Sequence, residues 1–217
     1  AAGLTRVNVS LDSLRPDRLA RIAGADSLGR ILAGIHSAQA VGLSPIKLNT
    51  VVLRGHNDDE IEALAALTLE NPVHLRFIEL MPVGCVQSTY EHLHFPGTEI
   101  EARLLAAFDL EPVETGAIGS GPARHYRIRG APGLIGLITP ICDNFFERCN
   151  RVRLTASGWI RPCLFGDLSV DLADPYRRGA TRHELLRTIA GALSGKPAGH
   201  TLGQEGAALS SLCSVGG

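Results

Sequence analysis

Three apolar, strand-like segments separated by helix-length stretches constrain the first 82 residues more than any other feature of this chain. Residues 6–12 alternate, with Val7, Val9 and Leu11 on one face and Asn8, Ser10 and Asp12 on the other, which is the period of a strand. Residues 26–41 carry Leu28, Ile31, Leu32 and Ile35 at helical spacing and stop at Gly42. Pro45 leads into a strand over 46–53, IKLNTVVL. Asn57 with Glu60 three residues later predicts a capping box for a helix over 58–69. VHLRFIEL predicts a third strand over 73–80. Strand, helix, strand, helix, strand is the order of a parallel sheet or barrel, because parallel neighbours need a crossover connection.

After Met81-Pro82 the rhythm breaks. Residues 83–97 hold Gly84, Pro96 and Gly97 and read as a loop. Thr98 and Glu101 open a helix to about residue 108 by capping logic, and short strands follow near 125–129, 134–139, 150–155 and 158–162. Thr181 with Glu184 opens a last helix to about 193, with Leu185, Leu186, Ile189 and Leu193 on one stripe. The tail from 196 is rich in Gly, Ser and Ala and reads as irregular. The expected division is therefore 1–82 against a smaller α+β domain over 83–217.

A chain of 217 residues that is 45% hydrophobic and 20% charged is an ordinary globular one, enough for one large or two small domains. A net charge of −1 argues against a broad nucleic-acid surface but leaves room for a local basic pocket. No apolar run approaches a membrane span and no signal-peptide pattern opens the chain. Five cysteines, an odd number, read as reduced thiols or metal ligands in a cytoplasmic protein. The first residue is Ala1, and the chain enters a core strand almost at once, which gives the expectation of a fragment.

The chemistry concentrates in Cys149-Asn150-Arg151-Val152-Arg153-Leu154-Thr155, followed by Arg161-Pro162-Cys163-Leu164-Phe165. In an extended segment Cys149, Arg151 and Arg153 share one face. Thiolates bind soft metals and iron–sulfur clusters, and arginine forks bind phosphate oxygens. On the second strand Lys47 and Asn49 share a face of an otherwise apolar run, where a lysine is costly unless it meets an anion. Arg76 reads either as a partner of Glu79 or as a phosphate contact. Cys142 either loops back as a ligand or is a buried small hydrophobe, the second reading weighing more. His92 and His94 read as surface residues. There is no Ser/His/Asp logic, Walker A loop or GxGxxG.

CNRVRLTASGWIRPCLF resembles the C-terminal cluster motif of the GTP 3',8-cyclases, radical S-adenosylmethionine enzymes of the first step of molybdenum cofactor biosynthesis. RVNVSLDSL at 6–14, KLNTVVLRGHND at 47–58, RFIELMPVG at 76–84, GPARHYRI at 121–128, KPAGH at 196–200 and the terminal Gly216-Gly217 extend the resemblance over nearly the whole chain. It implies an α/β fold, the C-terminal half of an incomplete TIM-like barrel, followed by the smaller domain. It implies a lyase in which Ser10 and Met81 contact S-adenosylmethionine. GTP would be held by Lys47, Arg76, Arg151, Val152 and Arg153. A [4Fe-4S] cluster would sit on Cys149 and Cys163, with Gly216 and Gly217 in a tail that inserts toward the site. GTP is the implied substrate, a second copy in a homodimer and cyclic pyranopterin monophosphate synthase the implied partners, with no nucleic acid and no membrane.

Two departures bear on function. Phe146 stands where the family pattern has the first of its three cluster cysteines. The N-terminal C-x-x-x-C-x-x-C of the family is absent from these residues, so no catalytic residue is expected in them. A fragment of a full-length enzyme and a degenerate gene both account for this. A non-catalytic GTP-binding remnant, a divergent paralogue with a lost auxiliary cluster, and a related radical enzyme acting on a peptide or other substrate are the competing readings.

Overall fold

The structure is a computed structural model and describes residues 3–82, 86, 88–114, 121–143, 152–163 and 168–196. The chain divides into two compact units, residues 1–81 with 91–143, and residues 82–90 with 144–217.

In chain order the first unit holds β1 (Val7–Ser10), α1 (Pro16–Ala23), α2 (Leu28–Ala40), β2 (Ile46–Val52), α3 (Ile61–Glu70) and β3 (Val73–Glu79). It continues with α4 (Tyr90–Leu93), whose first residue falls to the other unit, α5 (Gly97–Ala107), β4 (Leu110–Val113), β5 (Arg124–Ile128) and β6 (Leu134–Ile138). The strands form one six-stranded mixed sheet in the order β1-β2-β3-β6-β5-β4. β1, β2, β3 and β6 are parallel, and β5 and β4 return antiparallel.

Alternation builds the core. Ile46, Leu48, Thr50 and Val52 of β2 and Val73, Leu75 and Phe77 of β3 are buried, while Lys47, Asn49, His74 and Arg76 between them are only half-buried. The apolar face joins Leu64 and Ala65 of α3 and Ile100 and Leu104 of α5 in one cluster. The opposite face of these strands is polar.

The sheet runs past residue 82. The hairpin of β5 and β6 joins it because β6 is buried at every position, which suits an interior strand between β3 and β5. β4, which carries Pro112, takes the edge, where a missing amide does no harm.

Two of the three expected capping boxes do not form. Asn57 accepts from Leu53 N and donates to the carbonyls of Asp12 and Val51. Glu60 accepts from Ser13 Oγ and Leu14 N. Both residues tie the turn after β1 to the turn after β2. Glu101 binds Arg124 and Tyr126, and α5 starts after Pro96. Helix α1 was not expected; it opens with Pro16 and closes on Gly24 at φ +76°.

The second unit holds β7 (Arg153–Leu154), β8 (Trp159–Arg161), β9 (Val170–Asp171), α6 (Ala173–Arg177) and α7 (Arg182–Ser194). The strands form an antiparallel sheet in that order. The Thr181–Glu184 capping box is formed at the start of α7. Among the described residues the chain has seven α-helices, none long and apolar enough to cross a membrane.

Candidate functional site

Register assembles the first group of polar residues. Asn8, Lys47 and His74 lie side by side across β1, β2 and β3. Two residues further along, Ser10, Asn49, Arg76, Gly136 and His125 form a second row across β1, β2, β3, β6 and β5. Side chains paired across neighbouring strands share a face, so both rows stand on the polar face opposite the core.

Arg76 ties the rows together. Its Nε donates to Asn49 Oδ1 at 2.8 Å and its Nη2 to Asn8 Oδ1 at 3.0 Å. Its stem crosses Gly136, where an added Cβ would stand 3.0 Å from Arg76 Cγ. A pairing of Arg76 with Glu79 is not seen. The two are three residues apart on one strand and therefore face opposite ways. Lys47 stands half-buried between Asn8 and His74.

The field on this face is positive. Burial, then Lys47, His125, Arg76 and Arg127, push His74 down to about 4. Burial, then Lys47 and Arg76, also lower His125, against a hydrogen bond to the Ala123 carbonyl. Ser10, at the end of β1, donates to Asp12 Oδ2 at 3.1 Å. Met81 lies half-buried just after β3. Neither is joined to the Lys47 row by a described hydrogen bond.

At the C-terminal end of β3, Glu79 is fully buried and gathers several donors. Oε1 accepts from Gly97 N at 3.1 Å, Cys142 Sγ at 2.9 Å and, 3.0 Å away, faces His94 Nε2. Oε2 accepts from Ile141 N at 2.9 Å and Cys142 N at 3.1 Å. Burial and the neighbouring carboxylate raise the Cys142 thiol. A protonated thiol that donates to a carboxylate is a poor metal ligand. His94, read from sequence as a surface residue, is one of the groups that close over Glu79.

In the second unit Arg153 of β7 pairs directly with Arg161 of β8, and both are half-buried. Two arginines directly opposite make this ladder cationic. Arg161 was missed from sequence. The turn Thr155–Gly158, closed by Gly158 N to Thr155 O at 3.0 Å, is the signal that could have placed it opposite Arg153. Val152 is 45% exposed, and Cys163 follows β8, half-buried. Cys149, Arg151, Phe146, Gly216 and Gly217 lie outside the described residues. Among the described residues no three of His, Cys, Asp and Glu converge as metal ligands, so those residues alone do not supply a cluster site.

A family profile for Molybdenum Cofactor Synthesis C matches residues 73–202. The chain belongs to this family. A Radical SAM superfamily profile matches residues 1–68 of the same Molybdenum Cofactor Synthesis C member. Several curated relatives are named GTP 3',8-cyclase. That of Pelotomaculum thermopropionicum is 46% identical over 200 residues, 92% of this chain and 61% of its own length. That of Moorella thermoacetica is 46% identical over 199 residues, with the same coverage. That of Listeria monocytogenes is 40% identical over 202 residues, 93% of this chain and 60% of its own. The chain spans about three fifths of the length of these relatives.

Proposed function

We propose that this chain is the GTP-binding portion of a radical S-adenosylmethionine GTP 3',8-cyclase, a lyase acting in molybdenum cofactor biosynthesis. The observation that carries the reading is a pair of cations, Lys47 and Arg76, on adjacent rows of the polar sheet face, with two asparagines that hold Arg76. Lysine and arginine donors suit phosphate oxygens, and a nucleoside triphosphate is the anion that the relatives' name supplies. Lys47, Arg76, Arg151, Val152 and Arg153 are the residues that the resemblance gives to GTP, and Arg161 stands opposite Arg153. Holding the nucleotide fixed and dry is the contribution of these residues to the reaction.

On this reading β1, β2, β3 and β6 are part of an incomplete TIM-like barrel, and Ser10 and Met81 line its S-adenosylmethionine site. When bound, that cofactor supplies radical chemistry. Cys149 and Cys163 are the family's cluster thiols, and Gly216-Gly217 its inserting tail. A homodimer, a hand-over to cyclic pyranopterin monophosphate synthase and a cytoplasmic setting belong to the same reading.

The test is GTP affinity in the double variant Arg151→Ala/Arg153→Ala. Each phosphate contact of this kind is worth about 1.5–3 kcal/mol, so affinity falls by at least ~100-fold. Equal binding by parent and variant overturns the substrate assignment.

A second reading, a GTP-binding remnant without cluster chemistry, is favoured by two observations. Phe146 replaces a family cysteine, and the Cys142 thiol is engaged by Glu79. Protein that binds GTP yet stays colourless after anaerobic iron and sulfide treatment supports it.

A further inference from the structure

One cavity of the second unit has no assigned role. It measures about 410 Å³ and is lined by the turn after β7, the start of α6 and one face of α7. Leu154 and Leu172 form one wall, and Leu185 and Ile189, four residues apart on α7, form the other. That volume falls in the range of small-molecule sites, about 300–1,000 Å³. Leu154 is 63% exposed and Tyr176, also on the wall, 71%. Large side chains with apolar bodies left open around a concavity mark an interaction site.

Local structure fixes the walls. Leu172 N and Ala173 N donate to Gly158 O at 3.0 and 3.2 Å, which seats the turn Thr155–Gly158 against the start of α6. Glycine suits that approach: Gly158 has φ +84°, and an added Cβ would stand 2.5 Å from Ala173 Cβ. The capping box of Thr181 and Glu184 sets where α7 begins, and with it where Leu185 and Ile189 face.

The polar groups select the charge of a ligand. The lining holds one guanidinium, Arg177, two hydroxyls, Ser157 and Tyr176, and no carboxylate. Arg182 adds a second cation on the same stripe of α7, one turn before Leu185. The acids nearest in sequence are engaged, Asp174 with Arg178 and Glu184 with Thr181. Exposed arginines are well solvated, so these cations do not themselves call for a ligand. The apolar walls do, and the cations decide between an acid, an alcohol and an amine.

We propose that this cavity binds an amphiphilic organic anion, with its hydrocarbon body against Leu154, Leu172, Leu185 and Ile189 and its carboxylate at Arg177. Apolar burial supplies most of the affinity, and the exposed ion pair improves it about two- to fivefold. No residue of the cavity is among those assigned to GTP, so the proposal stands or falls independently of the nucleotide reading.

Octanoate, octanol and octylammonium share one hydrocarbon chain and differ in charge. Each is titrated against the full chain at neutral pH with 8-anilinonaphthalene-1-sulfonate as a fluorescent reporter, and leucine and isoleucine methyl NMR locates the binding. Octanoate is expected to displace the reporter at a concentration about two- to fivefold below that of octanol, with octylammonium weakest. It should also move the methyl signals of Leu154, Leu185 and Ile189. Arg177→Glu, a change at an exposed position, removes the preference for octanoate over octylammonium while octanol binds as before. Octanoate that binds no better than octanol, a preference unchanged in Arg177→Glu, or cavity methyl signals unmoved at saturation overturns the proposal. Two other occupants have their own signatures, and either one overturns it as well. Binding that appears only when residues 197–217 are removed gives the cavity to the chain's own tail, and a dimer in sedimentation that Leu154→Asp disperses gives it to a second copy.

Discussion

Replacing Glu79 by glutamine keeps the shape and removes the charge. Glu79 accepts from Ile141 N and Cys142 N at Oε2, and from Gly97 N and the Cys142 thiol at Oε1, where His94 also approaches. An amide group cannot accept on its nitrogen side. Its better orientation points NH2 to the Oε1 side, where the Cys142 sulfur can accept, and leaves the Gly97 amide unpaired. That amide is buried, and its loss costs about 1–3 kcal/mol. Glu79→Gln is therefore expected to destabilise the protein by about 1–3 kcal/mol, a fall in Tm of about 2–12 °C for a chain of this size.

The effect has a pH signature. Burial alone would raise the Glu79 pKa, but the Cys142 thiol and the amides of Gly97, Ile141 and Cys142 outweigh it and hold it below 4.5. A carboxylate depressed on folding stabilises above its unfolded value, and that stabilisation fades as pH falls through the folded value. Urea denaturation of parent and variant at pH 7 and at steps below 4.5 should show a gap that narrows with acid. A gap under ~1 kcal/mol at pH 7, or one that widens with acid, refutes this account of the end of β3.

Two further perturbations test the sites. Gly136→Ala places a Cβ 3.0 Å from Arg76 Cγ and should weaken tripolyphosphate binding several-fold by displacing the arginine, with little change in far-ultraviolet circular dichroism. Arg161→Ala removes the cross-strand partner of Arg153. It should weaken GTP binding about 10-fold and flatten its salt dependence, as loss of one charge-assisted contact implies, whereas an unchanged salt slope would return Arg161 to a structural role.

The first three strands were legible because a period of two over an apolar segment has few other readings. Expected at 6–12, 46–53 and 73–80, they lie at Val7–Ser10, Ile46–Val52 and Val73–Glu79. Helix α1 escaped because it is short, with Leu19 alone of its eight residues buried. The extension of the sheet by β4, β5 and β6 escaped because a hairpin does not announce which sheet it joins. Asn57 and Glu60 have the spacing of a cap, but tertiary donors on Ser13 and Leu14 won Glu60. Lys47 stood out as a lysine on an apolar strand. His74 and His125 did not, because a single half-hidden histidine is usually a satisfied one, and only the register brings these two beside Lys47 and Arg76.

The most direct test of the central claim is equilibrium titration of the protein with GTP, with guanosine and tripolyphosphate as comparisons, in the parent and in Lys47→Ala. Saturable GTP binding, tighter than either part alone and reduced about 10-fold or more by Lys47→Ala, is the expected result. GTP that binds no better than guanosine, or equally well with and without Lys47, would contradict it.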